Sequence, residues 1–458
     1  MMTTAPPPAL EFVAFNDLVN WSVRYLRENR SRYRNTFPLA RIGDFLKRNR
    51  HIIQIQDEVL YARVTIRLYT KGVLKRDEEW GRNIGTKRQF VVAPGQFIMS
   101  KIDARNGAFG LVPPDLDGAV TTADFLSYDV DTSRINPAFL TLVSSTKEFL
   151  SICQNSSSGT TGRQRVDETQ FLNIKIPLPS LEEQDRIVAA YNARITEAER
   201  LIEGAEVLQS GIKEYLFASL GLQAPRQKVV SKGLQFIPFQ SVSEWSINRI
   251  LGQLNFSSSK YEVTSLEENP NLTLNVFRGK SPVYQINSGY FILNQKCVRW
   301  SVVDKQYSKE VSKEWIEKIE QENFTLFSDI LINSTGEGTI GRSAIVNEDQ
   351  VGLLYDSHVL CLRLNKSIIS PKYFMYLFNS EYGQAQVNSI KSAQSTKQTE
   401  LGINNLIKVL FPLPSIDIQN KIVDKLDSWN FEIENLRKNK EIQFRDSIND
   451  FEAELFAS

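Results

Sequence analysis

The chain has 458 residues, 41% hydrophobic and 23% charged, with 54 Lys/Arg against 53 Asp/Glu. That length holds roughly two to four domains with cores of their own, and it contains no run of about 18 apolar residues that could form a membrane helix. Cys153, Cys297 and Cys361 are odd in number and far apart, which argues against a disulfide framework and fits a reducing cytoplasm.

The opening stretch, MMTTAPPPALEF, lacks a basic segment followed by an apolar run, so no secretory signal is expected. Residues 12–30 have helical spacing, with Phe12, Phe15 and Val19 near one stripe. Between Arg24 and Arg105 there are 19 Lys/Arg against 8 Asp/Glu. Such an excess is the electrostatic footprint of a phosphate-binding surface; the plainer reading is a solvated charged face.

From 37 to 178, β-rich runs such as VLYARVTIRLY, RQFVVA and GQFIMSKI alternate with Gly and Pro turns, and PAFLTLVSSTKEFLSIC (137–153) reads as a helix. Then comes IPLPSLEEQDRIV at 176–188. Pro177 and Pro179 stop any earlier helix, and Ser180 with Glu183 predicts a capping box. Beyond it lies a helix of about 40 residues, hence about 60 Å. Its expected heptad seam is 181, 188, 195, 202, 209 and 216 with 184, 191, 198, 205 and 212. Gly221 is the expected C-cap, and 222–240 is read as a linker.

The second half says nearly the same thing. Strand-like runs (FRGKSPVYQI, GYFILNQKCVRWSVV, DILINS, SAIV, HVLCLRL) lead to a helix at 371–390 and then to FPLPSIDIQNKIV at 411–423. Its start follows the first copy's by 411 − 176 = 235 residues. Ser415 answers Ser180, Ile418 replaces the glutamate, and Asp417 still suits the positive end of the helix dipole. The expected second seam is Ile422, Leu426, Trp429, Ile433, Leu436, Phe444, Phe451 and Leu455. A period of half a chain is a duplicated domain-plus-helix, not a solenoid. The fold class read from this is α+β: two mixed α/β domains and two long helices in a pseudo-twofold internal repeat. Neither helix is expected to stand alone; they pack antiparallel on each other or against partner proteins.

Catalytic motifs are missing: no HExxH, CxxC pair, GK[ST] loop or GxSxG occurs. His358, in an apolar run, is expected to be a partly buried strand residue and not a base. Gly336-Glu337-Gly338-Thr339-Ile340-Gly341 spells GxGxxG, but a dinucleotide site needs a helix next, and RSAIVNED is strand-like. Gly107 and Gly110 answer Gly338 and Gly341 in the first copy, so both read as hairpin turns. Val112-Pro113-Pro114-Asp115 does not fit the [DNS]PP[FYW] loop of an amine methyltransferase. Polar loops at 156–165 and 391–399 suit phosphates and base edges, or are ordinary surface loops.

The two [IF]PLPS-x3-Q-x2-IV segments, their helical continuations and the half-length repeat resemble the specificity subunit of type I restriction-modification systems. The first-unit stretch from VLYARVTIRLY to TTADF also resembles one class of target-recognition domain. The resemblance implies a non-catalytic subunit whose two domains each read one half of a bipartite double-stranded DNA target. Its helices would dock two methyltransferase subunits, and motor-nuclease subunits could join. S-adenosylmethionine, ATP and Mg would sit on those partners, with no cofactor on this chain. The expected division is 1–178 first recognition domain, 179–221 first spacer helix, 222–240 linker, 241–413 second recognition domain and 414–458 second spacer helix. Expected DNA contacts are Arg82, Thr86, Lys87, Arg88, Lys101, Arg105, Thr160, Arg163 and Arg165 in the first unit. In the second they are Asn333, Thr335, Glu337, Arg342, Lys397 and Gln398. Expected partner contacts are Tyr191, Ile195, Ile202, Leu426, Ile433 and Leu436. The competing readings are a coiled-coil scaffold without a DNA role, and a chain fusing recognition to its own DNA-modifying activity.

Overall fold

The computed structural model describes residues 33, 37–155, 157–158, 165–223, 236, 259–390 and 400–456. The predicted helix at 12–30 and nearly all of the 222–240 linker lie outside the described residues. Two compact units emerge, one from residues 1–201 with 438–458, the other from 202–437. Each therefore owns part of both long helices.

The first unit begins with strands β1 (Leu39–Arg41), β2 (Leu46–Arg48), β3 (Ile52–Gln54), β4 (Leu60–Ile66), β5 (Val73–Trp80) and β6 (Arg88–Val91). It continues with β7 (Phe97–Ser100), β8 (Phe109–Leu111), β9 (Val120–Thr121) and β10 (Phe125–Val130). Helices α1 (Pro137–Ser144) and α2 (Lys147–Asn155) precede β11 (Ser157–Ser158) and β12 (Arg165–Val166). Helix α3 (Glu168–Leu172), strand β13 (Lys175–Pro177) and the long helix α4 (Leu181–Leu220) follow. An antiparallel sheet in the order β2-β10-β7-β8 forms the frame, beside a five-stranded sheet β3-β6-β9-β4-β5. Alternation along β7 feeds two cores: Phe97 and Met99 pack with α1 and α2, while Ile98 joins Val64, Val73 and Val112.

The second unit repeats the frame. Its strands are β14 (Val263–Thr264), β15 (Thr273–Arg278), β16 (Phe291–Leu293), β17 (Lys309–Glu310), β18 (Ile330–Asn333), β19 (Ser343–Ile345), β20 (Leu354–Tyr355), β21 (Val359–Leu364) and β22 (Phe411–Pro412). Its helices are α5 (Lys313–Ile316), α6 (Pro371–Asn379), α7 (Glu381–Ile390), α8 (Ile403–Leu406) and the start of α9 (Ile416–Leu455). The sheet β15-β21-β18-β19 has the connectivity of β2-β10-β7-β8. Along β21, Leu360, Leu362 and Leu364 face the helices while Val359 and Cys361 face a second core. A sheet buried on both faces explains why this strand reads as a continuous apolar run.

Each predicted pre-closing helix is in fact two. Thr146 breaks the first, donating to Val143 O at 2.7 Å and accepting from the Phe149 N–H at 3.3 Å. Ser380, extended at φ −71° and ψ 167°, breaks the second. Short hydroxyl side chains compete for backbone groups and so end and restart helices.

The long helices pack in antiparallel fashion inside each unit. In the first, Arg186 meets Glu454, Tyr191 meets Phe451 edge-on at 6.3 Å, and Arg194 meets Asp450. In the second, Tyr215 stacks edge-on against Trp429 at 5.6 Å, and Leu436 lies beside Gly204. No helix among the described residues is long and apolar enough to cross a membrane.

Candidate nucleic-acid interface

Each unit is tied to its long helix by one buried glutamine. Gln184 is 0% exposed; it accepts from the Asn136 N–H at 2.7 Å and donates to Arg134 O at 3.2 Å and Pro179 O at 2.9 Å. Gln419 does the same with the Ser370 N–H at 2.8 Å, Ile368 O at 3.1 Å and Pro414 O at 2.8 Å. Asn136 and Ser370 are themselves the N-caps of α1 and α6. The repeated glutamine thus locks helix, frame and proline loop in one geometry. Of the expected capping box, Ser180 accepts from the Glu183 N–H at 3.3 Å. The Glu183 carboxylate instead takes Arg186 through two bonds of 2.8 and 2.9 Å, which lowers its pKa.

In the first unit, Arg82, Thr86 and Lys87 lie on the segment joining β5 to β6, and Arg88 opens β6. Arg82 is exposed, its guanidinium 5.7 Å from the Trp80 ring centre. Lys87 is engaged, 2.6 Å from both Asp57 Oδ1 and Gly81 O. Thr86 lines a cleft of about 370 Å³ with Arg63, Arg76, Gln89 and Thr121. Arg63, which the sequence did not single out, forks onto Asp77 at 2.6 and 2.8 Å. A second cluster gathers around Asp124: its carbonyl accepts the Lys101 N–H at 2.8 Å, and its carboxylate lies 3.1 Å from Arg165. The Arg105 side chain, Thr160 and Arg163 lie outside the described residues.

In the second unit the GxGxxG segment forms the turn between β18 and β19, with Gly336, Gly338 and Gly341 at φ +98°, +75° and +82°. A strand follows it, as the hairpin reading expected, so no helix N-terminus is available for a pyrophosphate. Glu337 is exposed at the tip. Arg342 donates to Gly338 O at 2.8 Å and stands 5.6 Å from the Trp300 ring centre. Thr335 Oγ1 lies 2.8 Å from His358 Nδ1. His358 is exposed just ahead of β21, which corrects the expectation of a partly buried strand residue. Asn333 requires another correction. It is fully buried, its amide donating to Gln295 O at 3.0 Å and Val298 O at 3.3 Å, so it shapes the turn and has no access to a base. Arg278, missed in the sequence, bonds Ser334 Oγ at 3.0 Å and pairs with Glu400. Lys397 and Gln398 lie outside the described residues.

Along α4 the row 184, 191, 198, 205 and 212 lies inward as expected, joined by 187, 194, 201, 208 and 215; of the other expected row Val188 and Leu216 are buried, Leu181 and Ile195 half-buried, and Ile202 and Gln209 exposed. Among the expected partner contacts, Tyr191, Ile195 and Leu436 are half-buried and Ile202 is exposed. Leu426 is buried in the second unit's core, and Ile433 is buried. Among the described residues of the long helices, the large apolar side chains that face outward are Ile202, Val207 and Phe431 in the second unit, and Phe444 and Ile448 in the first.

Two copies of one α+β frame, each closed by a proline-flanked strand and a long helix, define a duplicated domain-plus-helix architecture. The family model for the type I restriction modification DNA specificity domain matches residues 40–199 and 269–443. The chain is 25% identical over 298 residues to the type I restriction enzyme MjaVIII specificity subunit of Methanocaldococcus jannaschii. That match spans 61% of this chain and 61% of the relative's length. A solved chain described under complex assembly and conformational transition of the type I R-M system superposes with a TM-score of 0.55 at 17% identity. It covers 92% of this chain and 97% of that one, and at such identity it speaks for the fold. An HsdS subunit from Thermoanaerobacter tengcongensis superposes with a TM-score of 0.49 at 17% identity, covering 93% of this chain and 98% of that one. The chain belongs to the type I restriction modification DNA specificity family.

Proposed function

We propose that this chain is the sequence-reading subunit of a type I restriction-modification complex, with each unit reading one half of a bipartite double-stranded target. The recognition parts would be 1–178 and 241–413, and 179–221 and 414–458 would space them. The observation that carries this is the duplicated frame. The same sheet order and the same buried glutamine occur twice, yet the β7–β8 and β18–β19 turns carry different side chains. A constant frame with variable turns suits two readers of two different sequences, because base-edge contacts specify while phosphate contacts position. The methyltransferase subunits, and motor-nuclease subunits with them, would dock on the outward helix faces, where Ile202, Val207, Phe431, Phe444 and Ile448 are exposed. On this reading the chain is not itself catalytic. The methyl donor, ATP and Mg belong to partners, and the complex works in the cytoplasm beside its DNA.

Methylome sequencing of the host with and without this gene tests the proposal. A split motif with a fixed unspecified gap should vanish on deletion. A motif that persists, or a continuous one that vanishes, would refute it.

A further inference from the structure

Strands β4 and β5 are joined by a tip, RLYTKG (67–72), whose backbone is under strain. Tyr69 and Thr70 have φ +60° and +57°, a region where the Cβ of an L-residue crowds the following carbonyl. The tip is held there from outside. The Tyr69 N–H donates to Asn106 O at 2.7 Å and the Thr70 N–H to Gly107 O at 2.9 Å. Gly107 is itself at φ +76°, and a Cβ on it would stand 3.0 Å from Thr70 N. The tip is therefore docked on the turn that follows Lys101, one of the expected DNA contacts. That docking leaves the Tyr69 side chain outside the core, 70% exposed. Arg67, Leu68 and Lys71 are exposed around it. Strained backbone persists where its surroundings over-determine it, and it clusters at ligand contacts. An exposed aromatic ring between cations fits a polyanion whose major groove offers base edges and thymine methyl groups.

We propose that Tyr69 is a specificity-determining contact of the first unit. Its ring packs on a base edge or thymine methyl in the major groove of duplex DNA while Arg67 and Lys71 hold the flanking phosphates. This rests on the DNA-reading function proposed above.

The test uses the full chain assembled with its methyltransferase subunits. The probes are fluorescent duplexes carrying the motif found methylated in the host, intact or with either half scrambled. The wild-type complex must prefer the intact duplex; if it does not, the DNA-reading proposal itself fails, whatever Tyr69 does. Given that preference, Tyr69→Ala should weaken binding to the intact duplex by about tenfold. It should become indifferent to scrambling one half while still sensing the other. Tyr69→Phe keeps the apolar ring and should keep affinity within about threefold. Tyr69→Gly should lose the same discrimination while its denaturation midpoint holds or rises, since the backbone strain is relieved. Wild-type discrimination in the Ala and Gly variants would overturn the proposal. So would loss of methyltransferase subunits from those variants, which would make the tip a protein contact.

Discussion

Replacing Gln184 with Met keeps the length and much of the volume of a side chain that is 0% exposed. It deletes three hydrogen bonds: one from the Asn136 N–H and two to the carbonyls of Arg134 and Pro179. Each such bond contributes about 1 kcal/mol net, and a buried group left without a partner costs at least that. Local opening where α4 meets the first unit should therefore become easier by about 3 kcal/mol, or about a hundredfold in an opening equilibrium. A single unfolding free energy is poorly defined for a two-unit chain, so the readout is native-state hydrogen exchange. Amides of α1 and of the first turns of α4 should exchange about a hundredfold faster, while those of α6 stay within about threefold. Gln419→Met should give the mirror result, loosening α6 and the start of α9. If Gln184→Met changed α1 protection by less than about threefold, the latch would be incidental.

Two further outcomes follow from the same contacts. Burial raises the Asp356 carboxyl above its ordinary range, against the pull of the His358 N–H at 3.0 Å and of the His358 and Lys309 side chains. A carboxyl with a higher pKa folded than unfolded favours folding while protonated, so its contribution is lost as pH rises from the ordinary carboxylate value through the raised one. Asp356→Asn keeps an oxygen for His358; it should raise the denaturation midpoint of the second unit at pH 7 and flatten that fall, and an unchanged pH profile would contradict the assignment. Phe444→Asp, at an outward position, should abolish co-purification of methyltransferase subunits at an unchanged denaturation midpoint, whereas intact co-purification would move the docking face elsewhere.

Much of the fold was legible because its signals are local. The proline-flanked PLPS segments and the three-four stepping gave both long helices, and strand-like residues after Gly341 identified a hairpin where a motif spelled a nucleotide loop. The seam was half right. The row beginning at 181, chosen from apolar character, held only in part: Ile202 is exposed, the structure places Arg194 inward, paired with Asp450, and Ser447 is inward where Phe444 was expected. Arg194 holds its seam position through a partner on the other helix, which no local pattern reveals, and Ser447 holds its own by donating back to Phe444 O at 2.8 Å. Asn333 looked like a reader because it is polar and near a turn; its burial depends on the carbonyls of Gln295 and Val298, some 35 residues away. The repeated glutamine was visible as a constant letter, but its role needed the N-caps of α1 and α6. The strain at Tyr69 was invisible for the same reason, since residues 106 and 107 impose it.

The central claim is that the two units read separate halves of one target. Exchanging residues 240–411 for the equivalent segment of a relative with a different target, followed by methylome sequencing of cells carrying the chimera, tests it most directly. The account predicts that one half-site changes while the other half-site and the gap are retained. A change in both half-sites, or in neither, would contradict it.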